Sequence, residues 1–228
     1  MNSFFAATGR GVTAAIPLMI GYVPVALTFG MAGLGAGLTP LQTIMISAFV
    51  FAGASQFLLV ASLHTGASWW GLIVMCALLN ARHMLYGAVL RERLGKLGRS
   101  RLAIAFGLTD EVFATALSQI DRQTSRRPVW LGALGLCAWM SWMSGTLLGV
   151  ALGSGLAAYP FFTQVLAFAS PALFTALIAQ SAQAEFRFAM GCAAVVALAL
   201  LLTGQTGLAI LGGALAGGVL FLIKQRQI

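Results

Sequence analysis

From Gly11 to Ala81 the chain carries no Asp, Glu, Lys or Arg, and the same is true from Pro128 to Ala184 and from Phe188 to Ile223. Tracts of that length outrun the roughly 20 apolar residues that cross a bilayer as helix. Inside hydrocarbon every backbone N–H and C=O needs a partner within the protein, which leaves helices or a closed barrel. Period-2 alternation with regular turn signals, the mark of a barrel, is absent. With 60% hydrophobic and 8% charged residues, against about 25% charged in soluble domains, the chain reads as an all-α integral membrane protein. It is a polytopic helical bundle forming one transmembrane domain over residues 1–228.

Loop-like or charged breaks predict about seven transmembrane helices, near 12–33, 41–63, 67–90, 129–152, 161–182, 187–203 and 206–223. An eighth tract, 102–120, holds Asp110 and Glu111 side by side within "FGLTDEVFATAL". Cytoplasmic loops collect Lys and Arg. If 102–120 spans, Arg91, Arg93, Lys96, Arg99 and Arg101 face away from Arg122, Arg126 and Arg127. If it enters and returns, both clusters share the cytoplasmic side with Arg187, Lys224 and Arg226, and Arg10 alone lies outside. The second arrangement obeys the rule better, so a re-entrant acidic hairpin is predicted, with an external N-terminus and a cytoplasmic C-terminus. The net charge of +8 then reflects orientation in the membrane and not nucleic-acid binding. Two stretches, "TPLQTIMISAFVFAGASQF" from Thr39 and "YPFFTQVLAFASPALF" from Tyr159, are faintly alike and suggest an inverted repeat. Gly145, Gly149 and Gly153, and again Gly213 and Gly217, fall four apart and predict close helix packing.

Ionisable residues inside an apolar tract are costly and point to function. Four stand out: Arg82, His83, Asp110 and Glu111. Counting back from Arg91, Arg82 lies roughly 13 Å into the layer. It either snorkels toward the headgroups, pairs with Asp110 or Glu111, or holds a substrate carboxylate. His83 suits a proton relay or a structural hydrogen bond, and "NARHMLYG" sets Asn80 beside His83, with Tyr86 one turn from Arg82. Asp110 and Glu111, about 100° apart on a helix, can divide the work of capping a half-helix and facing a cavity, with Thr109 at the helix start. In "FAGASQF", Gly53 and its small neighbours leave room for a ligand or a kink, and Ser55 and Gln56 offer hydrogen bonds to a zwitterion. Cys76, Cys137 and Cys192 lack metal-ligand spacing and read as packing residues. No phosphate-binding loop, metal cluster or nucleophile elbow appears, so neither a cofactor, a metal nor an enzyme is predicted.

Together, "FAGASQF", "NARHMLYG" and "FGLTDEVFA", in that order and spacing, with "SPALF" from Ser170, resemble the AzlC family of branched-chain amino acid permeases. The resemblance implies a multi-pass transporter subunit of the bacterial inner membrane, working in the lipid bilayer with a small AzlD-type membrane partner. Its implied substrates are branched-chain amino acids such as valine, leucine and isoleucine, with methionine in some members, and its implied direction is export. The family-typical positions are Gly53, Ser55, Gln56, Arg82, His83, Tyr86, Thr109, Asp110 and Glu111. Coupling to protons is expected, with the carboxylates binding either the substrate ammonium or the proton. Direction leaves no residue signature, so an uptake permease stays open at this point, as does a non-transporting scaffold subunit.

Overall fold

The structure is a computed structural model and describes residues 2–65, 68–95, 100–123, 126–157, 159, 161, 164, 187–204 and 206–225. The chain divides into two compact units, Met1–Ser170 and Pro171–Ile228.

The first unit is built on two long helices, α1 (Asn2–Gly35) and α8 (Arg127–Ala157). Pro17 and Pro24 lie inside α1 without ending it, and Thr28 Oγ1 donates to the Pro24 carbonyl at 2.9 Å. The two helices run parallel: Gly11 sits against Trp130 and Leu134, Gly145 against Val23 and Ala26, Gly149 against Leu27 and Gly30, and Gly153 against Leu34. Glycine at these crossings lets backbone approach backbone, where dispersion rather than water exclusion holds helices together in lipid. Because α1 and α8 are parallel, their N-termini share one end. Arg10 Nε donates to Gln123 Oε1 at 2.9 Å and Arg126 Nε to Ser3 Oγ at 2.9 Å. This corrects the predicted separation of Arg10 from the other basic residues: Arg10 belongs to the same end as Arg122, Arg126 and Arg127.

From the far end, α2 (Pro40–Phe49) starts on a capping box between Thr39 and Gln42. It runs back along α1 and α8, with Thr43 against Gly33 and Ser47 bonded to Thr146 at 2.8 Å. The helix stops at Val50, near φ −112°, ψ 77°. After Val50–Ala52 the chain turns and α3 (Gly53–Thr65) climbs again, since Phe51 meets Tyr22 but Phe57 meets Phe29, two turns further up α1. Next, α4 (Trp69–Asn80) and α5 (Arg82–Leu94), joined at Ala81, cross to the Arg10 end, where Arg93 pairs with Asp121 at 2.9 Å. There α6 (Arg101–Phe106) enters along α8, bringing Phe106 to Trp139 and Gly107 onto Gly135. The backbone breaks at Gly107–Thr109, and α7 (Asp110–Gln119) leads back to Gln123 beside Arg10.

In the second unit α9 (Arg187–Leu202) and α10 (Thr206–Gln225) form an antiparallel pair, with Gly213 on Ala197 and Gly217 on Ala193. Gly204 makes the turn between them at φ +78°, a conformation that suits glycine.

The predicted fold class, with about seven transmembrane helices, is therefore corrected. Among the described residues three stretches are long and apolar enough to cross a membrane: Ser3–Gly35, Trp69–Leu94 and Arg127–Gly153. The tract 41–63 is not one of them, because Val50–Ala52 divides it into helices of 10 and 13 residues, each short of the roughly 20 a crossing requires. The tract 187–203 yields a 16-residue helix. The predicted span 161–182, and with it the second half of the suggested inverted repeat, lies almost wholly outside the described residues.

Two outcomes are expected. Gly149→Val forces a side chain onto the Leu27 carbonyl and lowers the thermal stability of the detergent-solubilised protein by about 1–3 kcal/mol, whereas Gly9→Ala, which faces open space, leaves it unchanged or slightly higher. In a cysteine-free background, Ser3→Cys and Arg122→Cys react with an impermeant thiol reagent from the same side of the membrane; labelling from opposite sides would contradict the parallel α1–α8 arrangement.

Candidate functional site

The two helix breaks of the first unit meet at mid-height, where Phe51 and Phe106 approach with ring centroids 6.2 Å apart. At each break, backbone groups freed from the helical ladder need other partners. At the α2/α3 break the Ala52 N–H bonds Val50 O, so Ala48 O loses its helical donor, and Trp139 Nε1 replaces it at 3.3 Å. Gln56 Nε2 donates to Val50 O at 2.5 Å, while its Oε1 accepts from Trp142 Nε1 at 3.1 Å. Gln56 is 1% exposed, so its amide is a structural brace. Gly53 makes the brace possible, because a Cβ there would collide with the Trp142 ring.

At the α6/α7 break, Thr109 caps α7 through Val112 N–H to Thr109 Oγ1 at 3.3 Å. Asp110 and Glu111 follow in the first helical turn, where the helix dipole favours negative charge. They face different partners. Asp110 Oδ2 accepts from Arg82 Nη2 at 2.6 Å and Oδ1 from Tyr86 Oη at 2.5 Å. Glu111 Oε2 accepts from Tyr22 Oη at 2.5 Å, and the same hydroxyl lies 2.6 Å from Thr109 Oγ1. Tyr22 is buried, its ring edge-on to Trp142 and Phe51.

The α4/α5 junction completes the arrangement. Asn80 Nδ2 donates to Ser55 Oγ at 2.8 Å, tying the junction to the start of α3. His83 Nδ1 lies 3.1 Å from the Asn80 carbonyl, which requires the proton on Nδ1. The His83 ring flanks Tyr86, and Tyr86 stacks on Phe113 of α7 at 4.2 Å. The Arg82 and Asp110 side chains keep 42% and 27% of their surface exposed, so the pair is only partly covered by the rest of the unit.

The sequence pattern of the family described as AzlC protein covers residues 17–156. The chain is 37% identical to the inner membrane protein YgaZ of Escherichia coli, over 94% of this chain and 89% of that one. It is 34% identical to an uncharacterized membrane protein of Archaeoglobus fulgidus, over 92% of each. The branched-chain amino acid transport protein AzlC of Bacillus subtilis is 24% identical, over 70% of this chain and 61% of that one. The chain belongs to the AzlC family. It is thus a multi-pass inner-membrane protein of a transporter family, not an enzyme. No solved structure matches it.

For an AzlC-family chain, the structure brings the sequence-predicted residues together in two groups. Arg82, Tyr86 and Asp110 form one cluster, with His83 beside it; Ser55 and Asn80 form a second contact on the same α4/α5 junction. Gln56 and Gly53 serve the backbone break, and Thr109 is a helix cap. Sequence reasoning missed Tyr22, Ser47, Trp142 and Thr146, all buried. The one available signal was a tyrosine in an uncharged tract between two prolines, since a buried phenol needs a hydrogen-bond partner. Gln56→Leu leaves Trp142 Nε1 without a partner and Val50 O with the Ala52 N–H alone. The expected loss is about 1–3 kcal/mol for the orphaned indole, read as a fall in thermal stability of purified protein.

Proposed function

We propose that this chain is the large subunit of a secondary transporter that exports branched-chain amino acids in exchange for protons. The observation that carries the reading is the half-open Arg82–Asp110 pair, held where the α4/α5 junction meets the α6/α7 break. A zwitterion replaces such a pair group for group: its carboxylate takes the guanidinium, and its ammonium takes Asp110 with Tyr86 alongside. Ser55 and Asn80 supply neutral hydrogen-bonding capacity nearby, and Phe113 and Phe106 supply apolar surface for an aliphatic side chain. The kinship with a protein named for branched-chain amino acid transport supports the substrate class. A small AzlD-type membrane subunit completes the transporter, and exposed apolar side chains such as Trp69, Trp70, Met84 and Leu85 are at home against lipid or such a partner.

The test is labelled leucine or valine flux in inverted membrane vesicles holding this chain and its small partner, with and without an interior-acid pH gradient. Accumulation that collapses with the gradient is expected, and Arg82→Gln lowers it roughly 10- to 100-fold at equal insertion, the equivalent of one lost charge-assisted contact. Flux no greater than in vesicles lacking the protein would remove branched-chain amino acids as substrates.

A further inference from the structure

We infer that the two adjacent carboxylates have separate tasks, with Glu111 carrying the coupling proton, Asp110 remaining the ion-paired substrate contact, and Tyr22 acting as the positioning residue that holds Glu111 ready. This rests on the transport reading above and deepens it. Asp110 spends both oxygens on donors, Arg82 and Tyr86. A proton added there would displace one donor and leave a guanidinium without its counter-charge. Glu111 has no cation within pairing distance among the described residues; its partner is the Tyr22 hydroxyl.

A hydroxyl has one proton to give and two lone pairs to receive. With Glu111 charged, Tyr22 donates to Glu111 and accepts from Thr109. With Glu111 protonated, the carboxyl donates to Tyr22, and Tyr22 turns its own proton toward Thr109 Oγ1, which also accepts from Val112 N–H. The Glu111–Tyr22–Thr109 chain reverses direction without displacing a heavy atom, so the carboxylate takes a proton from water and returns it while its neighbours stay bonded. The charged or titratable groups around it are Tyr22 from α1, Asp110 on its own helix, and Arg82 and Tyr86 from α5; α8 offers the uncharged Trp142 indole behind Tyr22. That indole bonds Gln56 at the other break, so Tyr22 packs on the side chain that links the two helix tips.

Two assays on vesicles containing both chains separate the tasks: leucine exchange at equal pH on both sides, and accumulation driven by a pH gradient. Glu111→Gln is expected to lose gradient-driven accumulation at least tenfold while exchange falls far less. Asp110→Asn loses both, and Tyr22→Phe shifts the pH profile of accumulation relative to wild type with insertion unchanged. Gradient-driven accumulation by Glu111→Gln equal to wild type, or the uncoupled pattern appearing in Asp110→Asn instead, overturns the assignment. Wild-type vesicles inactive in both assays overturn the transport reading itself and this assignment with it.

Discussion

A backbone that leaves the helical ladder within an apolar layer must find its hydrogen bonds inside the protein, and the first unit is organised around meeting that demand twice. The α2/α3 break is braced by Gln56 and by the indoles of Trp139 and Trp142. The α6/α7 break is closed by the Thr109 cap and the Tyr22 hydroxyl. Since Trp139 and Trp142 belong to α8 and Tyr22 to α1, both breaks depend on the glycine-mediated approach of those two helices.

The same geometry explains the paired acids. Successive residues on a helix diverge by about 100°, so Asp110 and Glu111 look toward different elements from one helix start. One reaches α5 and its guanidinium; the other reaches α1 and a neutral hydroxyl. The α4–α5 crossing is attached to the rest of the unit by polar contacts through Asn80, Arg82, Tyr86 and Arg93 and by buried Leu72, Leu90 and Leu94, while most of its other apolar side chains face outward. In lipid, where apolar contact gives little preference for protein over hydrocarbon, polar contacts of this kind decide where a helix sits.

Much of this was legible in the residues. Small side chains followed by Ser55 and Gln56 suggested a kink at one break, and "LTDE" had the look of a helix start at the other, though the cap was expected from a carboxylate and falls to Thr109. The residues of "NARHMLYG" were read as polar and ionisable groups set inside an apolar tract. What could not be read was the path of the chain at a break. An apolar run such as 41–63 has the same composition whether it crosses or turns back, because hydropathy counts side chains and the outcome depends on where the freed carbonyls find donors. The separation of Arg10 from the other basic residues failed for a similar reason: one arginine weighs little in a charge count, whereas its bond to Gln123 fixes the end it shares.

The sequence by itself determined that this is a helical membrane protein of the AzlC family and which ionisable groups lie in its apolar interior, since the cost of placing charge in hydrocarbon is a property of composition. Only the tertiary structure decided that three stretches of crossing length, not seven, stand among the described residues, and that Arg82 meets Asp110 while Tyr22 meets Glu111. Those pairings join residues 28 and 89 positions apart. They exist because helix breaks from opposite ends are drawn to one level by donors on α1 and α8, which no local pattern encodes.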